Sequence, residues 1–281
     1  MIDEELAKQH IREACRMPEA EIYFLVGGTQ TNATVIHSLM NSFQGVIAVE
    51  SGHINTHEAG AIERTGHKVI ALPSSEGGKL SVDTLENYLD AFFADSNYEH
   101  CVIPGMVYIT FPTELGALYT RKEISAIYET CKARELVLYV DGARLGYGMT
   151  ADGSDIDLPW LSRHCDVFYI GGTKVGAICG EAVVFTHGNA PKYFFSYTKQ
   201  QGALLAKGRL PGIQFDTLFA DGTVTCTSPR ARVVTATVEL DRYEEFVSGK
   251  SAGELKPNVL RVYDVYDAKR TYVENEDYTV D

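Results

Sequence analysis

Leu136-Val137-Leu138-Tyr139-Val140-Asp141-Gly142-Ala143-Arg144-Leu145 and, further on, Asp166-Val167-Phe168-Tyr169-Ile170-Gly171-Gly172-Thr173-Lys174 decide the fold. Each contains an uninterrupted apolar run that stops at a small or charged residue. Runs of this kind are expected of strands covered on both faces, as in a parallel sheet. Between Arg121 and Arg134, just before the first run, Ile124, Ile127, Tyr128 and Cys131 recur at helical spacing, which predicts an amphipathic helix. The same alternation extends upstream. Ile22 to Val26 is a strand candidate ended by Gly27-Gly28, and Val35, Leu39 and Met40 place a helix from about Thr29 to Phe43. Gly45 to Val49, Lys68 to Leu72 and Gly105 to Phe111 are further strands, with a short helix predicted from Ile54 to Arg64. Strands alternating with helices predict an α/β fold with a mostly parallel, doubly wound sheet.

The pattern changes after Asp221-Gly222, which predicts a large domain over 1–222 and a short, atypical C-terminal segment over 223–281. In that segment Leu240 to Val247 suits a helix, while Val259 to Val265 and Thr271 to Val280 alternate like exposed strands. The 281 residues carry 25 basic against 38 acidic side chains, a net charge of −13. Acidity on that scale repels phosphate backbones and anionic lipid surfaces, so neither nucleic acid nor a membrane is expected as a partner. No run reaches the length of a membrane span. The acidic start Met1-Ile2-Asp3-Glu4-Glu5 has no apolar core behind it, so a cytoplasmic location is expected. The six cysteines fall at irregular spacing, which predicts buried, reduced thiols rather than a disulfide framework or a zinc site.

Three strand-ending turns could carry chemistry. Gly27-Gly28-Thr29-Gln30-Thr31-Asn32 joins a strand to a helix, where bare backbone amides make an anion site. Asp141 ends an apolar strand, at the edge where open α/β sheets bind ligands, and Arg144 follows closely. Lys174 ends the next strand among glycines and apolar neighbours; desolvation there would favour the neutral, nucleophilic amine. In His53-Ile54-Asn55-Thr56-His57-Glu58 two histidines stand four apart. The order is not that of a metalloprotease helix and no third ligand is evident, so no metal is expected. An imidazole stacked on a flat ring suits His53 better. A phosphate cradle, a lysine for a Schiff base and a carboxylate that keeps a ring nitrogen protonated together describe the requirements of pyridoxal phosphate.

Taken in order, Gly27 to Asn32, His53-Ile54-Asn55-Thr56-His57-Glu58-Ala59-Gly60-Ala61, Asp141 to Leu145 and Gly171-Gly172-Thr173-Lys174 resemble the threonine aldolases. These belong to the wider β-eliminating lyase group of fold-type-I pyridoxal-phosphate enzymes, and the resemblance runs from about residue 10 to Asp221. It implies that Gly28, Thr29 and Thr173 hold the cofactor phosphate and that His53 stacks on the ring. It further implies that Asp141 pairs with the ring nitrogen, that Lys174 is the Schiff-base lysine, and that Arg144 holds the substrate carboxylate. Glu114 stands where well-studied aldolases often have a histidine near the substrate hydroxyl. Ser228 to Thr235 resembles the family's last strand, which would make Arg232 a second carboxylate contact. On this resemblance the family's N-terminal segment and most of its small C-terminal domain are expected to have no counterpart in this sequence. The implied activity is cleavage of L-threonine or L-allo-threonine to glycine and acetaldehyde by a homodimer or homotetramer. β-Elimination, racemisation, or a truncated or fused member with little turnover are the alternatives. The missing substrate clamps predict slow threonine cleavage and a tendency to associate.

Overall fold

Side chains in a strand alternate between the two faces of the sheet, and here both faces are apolar, so helices cover both. The computed structural model describes residues 2–206 and 208–220, together with Val262–Tyr263 and Thr271–Tyr272. Seven strands form the main sheet: β1 Glu21–Leu25, β2 Gln44–Val49, β3 Val69–Leu72, β4 Ile103–Thr110, β5 Val137–Asp141, β6 Val167–Gly171 and β7 Glu181–Phe185. Their spatial order is β1-β7-β6-β5-β4-β2-β3. All neighbours from β6 to β3 are parallel, whereas β7 runs antiparallel to both β1 and β6. The expected mostly parallel sheet is therefore present. The reversed β7, which the sequence reading does not include, delivers its first residue to the edge where its neighbours β1 and β6 deliver their last.

The helices are α1 Ile2–Cys15, α2 Gly28–Leu39, α3 His53–Thr56, α4 Ala61–Arg64, α5 Val82–Ala94, α6 Arg121–Ala133, α7 Leu145–Thr150, α8 Leu158–Leu161, α9 Phe194–Gln200 and α10 Arg209–Ala220. On one side of the sheet Val107, Leu138, Val140, Phe168 and Val184 pack with Ile11 of α1, Leu85 of α5, Ile127 of α6 and Phe215 of α10. On the other, Tyr108, Tyr139, Tyr169 and Val183 pack with Ala33 and Ile36 of α2 and Phe194 of α9. Burying each such large apolar side chain stabilises the fold by about 1.5–3 kcal/mol. Helix α6 starts at a capping box, Thr120 with Glu123, which explains its sharp boundary.

Three local expectations need correction. The helix expected from Thr29 to Phe43 ends at Leu39, where Met40 turns to extended backbone. The helix expected from Ile54 to Arg64 is two short helices, because Ala59 (φ 51°) and Gly60 (φ 72°) adopt left-handed backbone. Of the cysteines, Cys15, Cys131 and Cys165 are buried, but Cys101 is exposed and Cys179 is half-buried.

The chain divides into two units, Met1–Pro229 and Arg230–Asp281. Within the second, β8 Val262–Tyr263 pairs antiparallel with β9 Thr271–Tyr272. The helix expected over Leu240 to Val247 lies outside the described residues, as does Arg232. Among the described residues no helix is long and apolar enough to cross a membrane.

Candidate active site

The ends of β1, β4, β5 and β6 and the start of β7 meet around a cavity of about 590 Å³, counting space open to solvent. Two glycines let the central strand ends close up. A Cβ on Gly142 would lie 1.9 Å from the Tyr169 carbonyl oxygen, and one on Gly171 would lie 2.4 Å from that of Ala143. In their place the Gly171 amide donates to the Gly142 carbonyl at 2.9 Å.

Asp141 forms the floor. Its Oδ1 accepts from the Tyr169 hydroxyl at 2.6 Å and the Ala143 amide at 2.9 Å. Its Oδ2 accepts from the Tyr108 hydroxyl at 2.6 Å and the Asn32 amide at 3.0 Å. Asn32 in turn accepts from the Tyr139 hydroxyl at 2.7 Å and donates to Glu58 Oε1 at 2.7 Å. The period of two places Asp141, Tyr139, Tyr108 and Tyr169 on the face covered by α2, which supplies Asn32. Burial, with Asp141 beside them, pushes the three phenols well above the usual tyrosine range, so all three serve as donors.

Glu58 enters through the break between α3 and α4. Its Oε1 also meets His53 Nδ1 at 2.8 Å, while its Oε2 is buried without a partner among the described residues. The hydrogen bond to Glu58 raises the His53 imidazole above its ordinary value, and burial raises the Glu58 carboxyl. The pair therefore holds its shared proton to higher pH than either group alone. With Nδ1 committed to the carboxylate, Nε2 is the ring nitrogen left for the cavity. The His57 ring stacks on His53 at 5.5 Å between centroids. Across the cavity Glu114 accepts from the His53 backbone amide at 2.7 Å and the Thr110 hydroxyl at 2.8 Å.

Helix α2 begins directly after Gly27. Its first i→i−4 bond runs from the Thr31 amide to the Gly27 carbonyl at 2.9 Å, so the amides of Gly28 and Thr29 precede the bonded ladder and point out of the helix start. A Cβ on Gly28 would come within 3.3 Å of the Tyr169 hydroxyl, so glycine keeps this approach open.

Lys174 lies on the turn between β6 and β7, held through its carbonyl by the Tyr147 hydroxyl at 2.7 Å. The desolvated setting expected for it is not found. Lys174 is exposed: Gly171 and Gly172 before it are closely packed, but Gly176 after it borders open space. Arg144, exposed at the start of α7, makes no side-chain hydrogen bond or ion pair among the described residues.

Gly28, Thr29, His53, Glu114, Asp141, Arg144, Thr173 and Lys174 thus line one cavity. The sequence reading assigns no role to Glu58 or to Glu181, which line it too. Glu181 is 2 % exposed. Its Oε2 accepts from the Gly172 amide at 2.9 Å and its Oε1 from the Thr173 hydroxyl at 3.1 Å. Burial pushes its carboxyl up to about 7, with nearby Asp141 adding to the effect and Lys174 opposing it.

Comparison with known proteins identifies relatives over most of the chain. The family model described as beta-eliminating lyase matches residues 5–272. A low specificity L-threonine aldolase of Pseudomonas sp. (strain NCIMB 10558) is 34 % identical over 219 residues, covering 77 % of this chain and 61 % of the relative. The chain therefore spans about three fifths of the length of that curated relative. Among solved structures, the Leishmania major threonine aldolase is 41 % identical with a TM-score of 0.74, covering 78 % of this chain and 63 % of that one. A Pyrococcus horikoshii kynurenine aminotransferase, 14 % identical with a TM-score of 0.62 over 79 % of this chain and 54 % of its own, shares the fold. With the family model matching nearly the whole chain, the chain belongs to the beta-eliminating lyase family.

Proposed function

We propose that the chain is a pyridoxal-phosphate-dependent lyase that cleaves L-threonine and L-allo-threonine to glycine and acetaldehyde. The observation that carries this reading is the convergence, at one sheet edge, of an open helix start, an exposed lysine without a side-chain partner among the described residues, and a buried carboxylate. The residues fit the cofactor. Gly28 leaves room a Cβ would take, and Glu58 Oε2 is a buried acceptor without a donor among the described residues. When bound, the pyridinium ring supplies an electron sink for charge left at the substrate Cα.

In this reading the amides of Gly28 and Thr29, with the hydroxyl of Thr173, hold the phosphate. Lys174 holds the cofactor's aldehyde, and its exposure leaves the amine accessible. His53 covers the ring while Glu58 fixes its tautomer. Asp141, its carboxylate held by the four donors already on its oxygens, would pair with the ring nitrogen. Arg144 binds the substrate carboxylate, Glu114 offers an acceptor to the substrate hydroxyl, and Arg232 is a second carboxylate contact. The cofactor domain is residues 1–222, with 223–281 a separate segment. The protein works in the cytoplasm as a homodimer or homotetramer.

β-Elimination is the second reading, favoured by Glu114 at the position where aldolases often carry a histidine. Product analysis separates the two. Acetaldehyde and glycine from threonine, with no keto acid from serine, are the expected result. Keto acid and ammonia without glycine would select β-elimination.

A further inference from the structure

Glu181 is a buried carboxylate that neither the sequence pattern nor the roles above use. The sheet explains its location. In the antiparallel register Glu181 pairs with Leu25 on one side and Gly171 on the other. Leu25 ends the strand that leads into Gly28 and Thr29, and Gly171 ends the strand that leads into Thr173 and Lys174. Glu181 therefore stands between the two turns that form the phosphate cradle, and it shares their cavity. It also takes hydrogen bonds from donors that an incoming anion would recruit, the Gly172 amide and the Thr173 hydroxyl.

The groups around it leave the carboxylate poorly compensated. Leu25, its register partner on β1, is apolar and offers it no polar side chain. Tyr139 and Tyr169 face it from β5 and β6, and Asp141 adds a like charge. Among the described residues Lys174 is a cation near enough to oppose this, and its amine is the group assigned to the cofactor aldehyde. A phosphate monoester seated on Gly28, Thr29 and Thr173 would bring a second anion next to an ionised Glu181 that is itself 2 % exposed, where like charges repel more strongly than in water. A carboxylic acid in the same place donates a hydrogen bond instead.

We propose that Glu181 is part of the phosphate cradle and works there as a neutral acid, donating its proton to a phosphate oxygen, so that cofactor capture is coupled to retention or uptake of one proton at Glu181. The proposal rests on the cofactor reading above and adds a residue and a proton to it. No bond is made or broken; one proton from solvent resides on the Glu181 carboxyl in the loaded protein. The burial that already lifts this carboxyl to about 7 is consistent with such a role.

The test is the affinity of the full chain for pyridoxal phosphate, titrated by absorbance between about pH 6 and pH 9, against Glu181→Gln. The glutamine keeps a hydrogen-bond donor but cannot ionise. Taking the ratio of the two dissociation constants cancels the titration of the cofactor's own groups. Above about pH 7 the parent should weaken relative to the variant by up to about tenfold per pH unit, the signature of one linked proton. Pyridoxal, which lacks the phosphate, should give a ratio independent of pH. A second neutral variant, Glu181→Ser, repeats the comparison should the glutamine disturb folding, with thermal unfolding as the check. A ratio that stays flat for pyridoxal phosphate overturns the role of Glu181 while leaving the cofactor reading intact. The same slope with pyridoxal also overturns it, by assigning the coupling to Lys174. Absence of any spectral change at every pH overturns the cofactor reading itself, and this proposal with it.

Discussion

Asp141, at the floor of the cavity, accepts four hydrogen bonds from partners on α2, β4, β6 and its own turn, whereas Lys174 and Arg144, at the rim, are exposed with no side-chain partner among the described residues. Floor and rim thus differ in when their interactions are made. A buried carboxylate without partners costs several kcal/mol, so the floor is completed on folding and held by the sheet register. The rim cations lose little by waiting in water, so their partners can be the cofactor aldehyde and the substrate carboxylate. The Leu115 and Ile178 side chains, 69 % and 81 % exposed, show how open the chain is near this rim. Substitutions in the floor should therefore act on stability, and substitutions in the rim on binding.

The largest effect is expected at Gly142. A methyl group 1.9 Å from the Tyr169 carbonyl forces apart the two strand ends that carry Asp141 and the lysine turn. Gly142→Ala should cost at least the upper end of the about 1–3 kcal/mol typical of overpacking, measured by denaturant unfolding. A loss below about 0.5 kcal/mol would show that the strand ends are not rigidly joined.

Glu181 follows, with a pH signature. Its folded carboxyl is raised from 4.5 to about 7. Its contribution is therefore fully present below pH 4.5 and lost as pH rises through about 7. Without cofactor, the parent should lose about 3 kcal/mol of stability relative to Glu181→Gln across that window. Parallel stability profiles would mean that Glu181 is solvated in a way its hydrogen bonds do not indicate.

Asp141→Asn tests the floor itself. The Ala143 amide is fixed backbone, so the new carbonyl must take the Oδ1 position, and the new amide then opposes the Asn32 amide, a donor, while the Tyr108 hydroxyl must turn to accept. Turning Asn32 in response would break its bonds to Glu58 and Tyr139. A cost of about 1–3 kcal/mol is expected, read from the melting temperature. Unchanged stability would show that the network reorganises freely.

Arg144→Gln should be the mildest for the fold, within about 0.5 kcal/mol of the parent. Affinity for an amino-acid substrate should nevertheless fall by at least tenfold, as expected for a lost charge-assisted pair. A large loss of stability would place Arg144 in the fold rather than in binding.

The same contrast explains what could be read in the sequence. Asp141 ends an apolar strand and Lys174 follows one closely, after Gly171-Gly172-Thr173, and a charged residue just where a buried parallel strand stops stands out. Gly28 and Thr29 show in the same way, as a glycine pair after a strand. Glu181 does not, because its strand runs in reverse and offers its first residue to the site; an apolar run preceded by a lone carboxylate was the available signal. Glu58 is concealed by a helix-like pattern that Ala59 and Gly60 break with left-handed backbone. Tyr108, Tyr139 and Tyr169 pass as ordinary apolar strand residues, although their hydroxyls complete the floor. The exposure of Lys174 depends on how loosely its glycine-rich turn is packed, which local composition does not determine.

The most direct test of the central claim is to add pyridoxal phosphate to the full chain, record the visible spectrum, reduce with borohydride and map the modified peptide. The expected result is a yellow species that reduction traps on Lys174, and that Lys174→Ala abolishes without loss of fold. Covalent attachment at Lys68 or Lys199, or no reducible species in the folded parent, would contradict the assignment of this cavity as a pyridoxal-phosphate site.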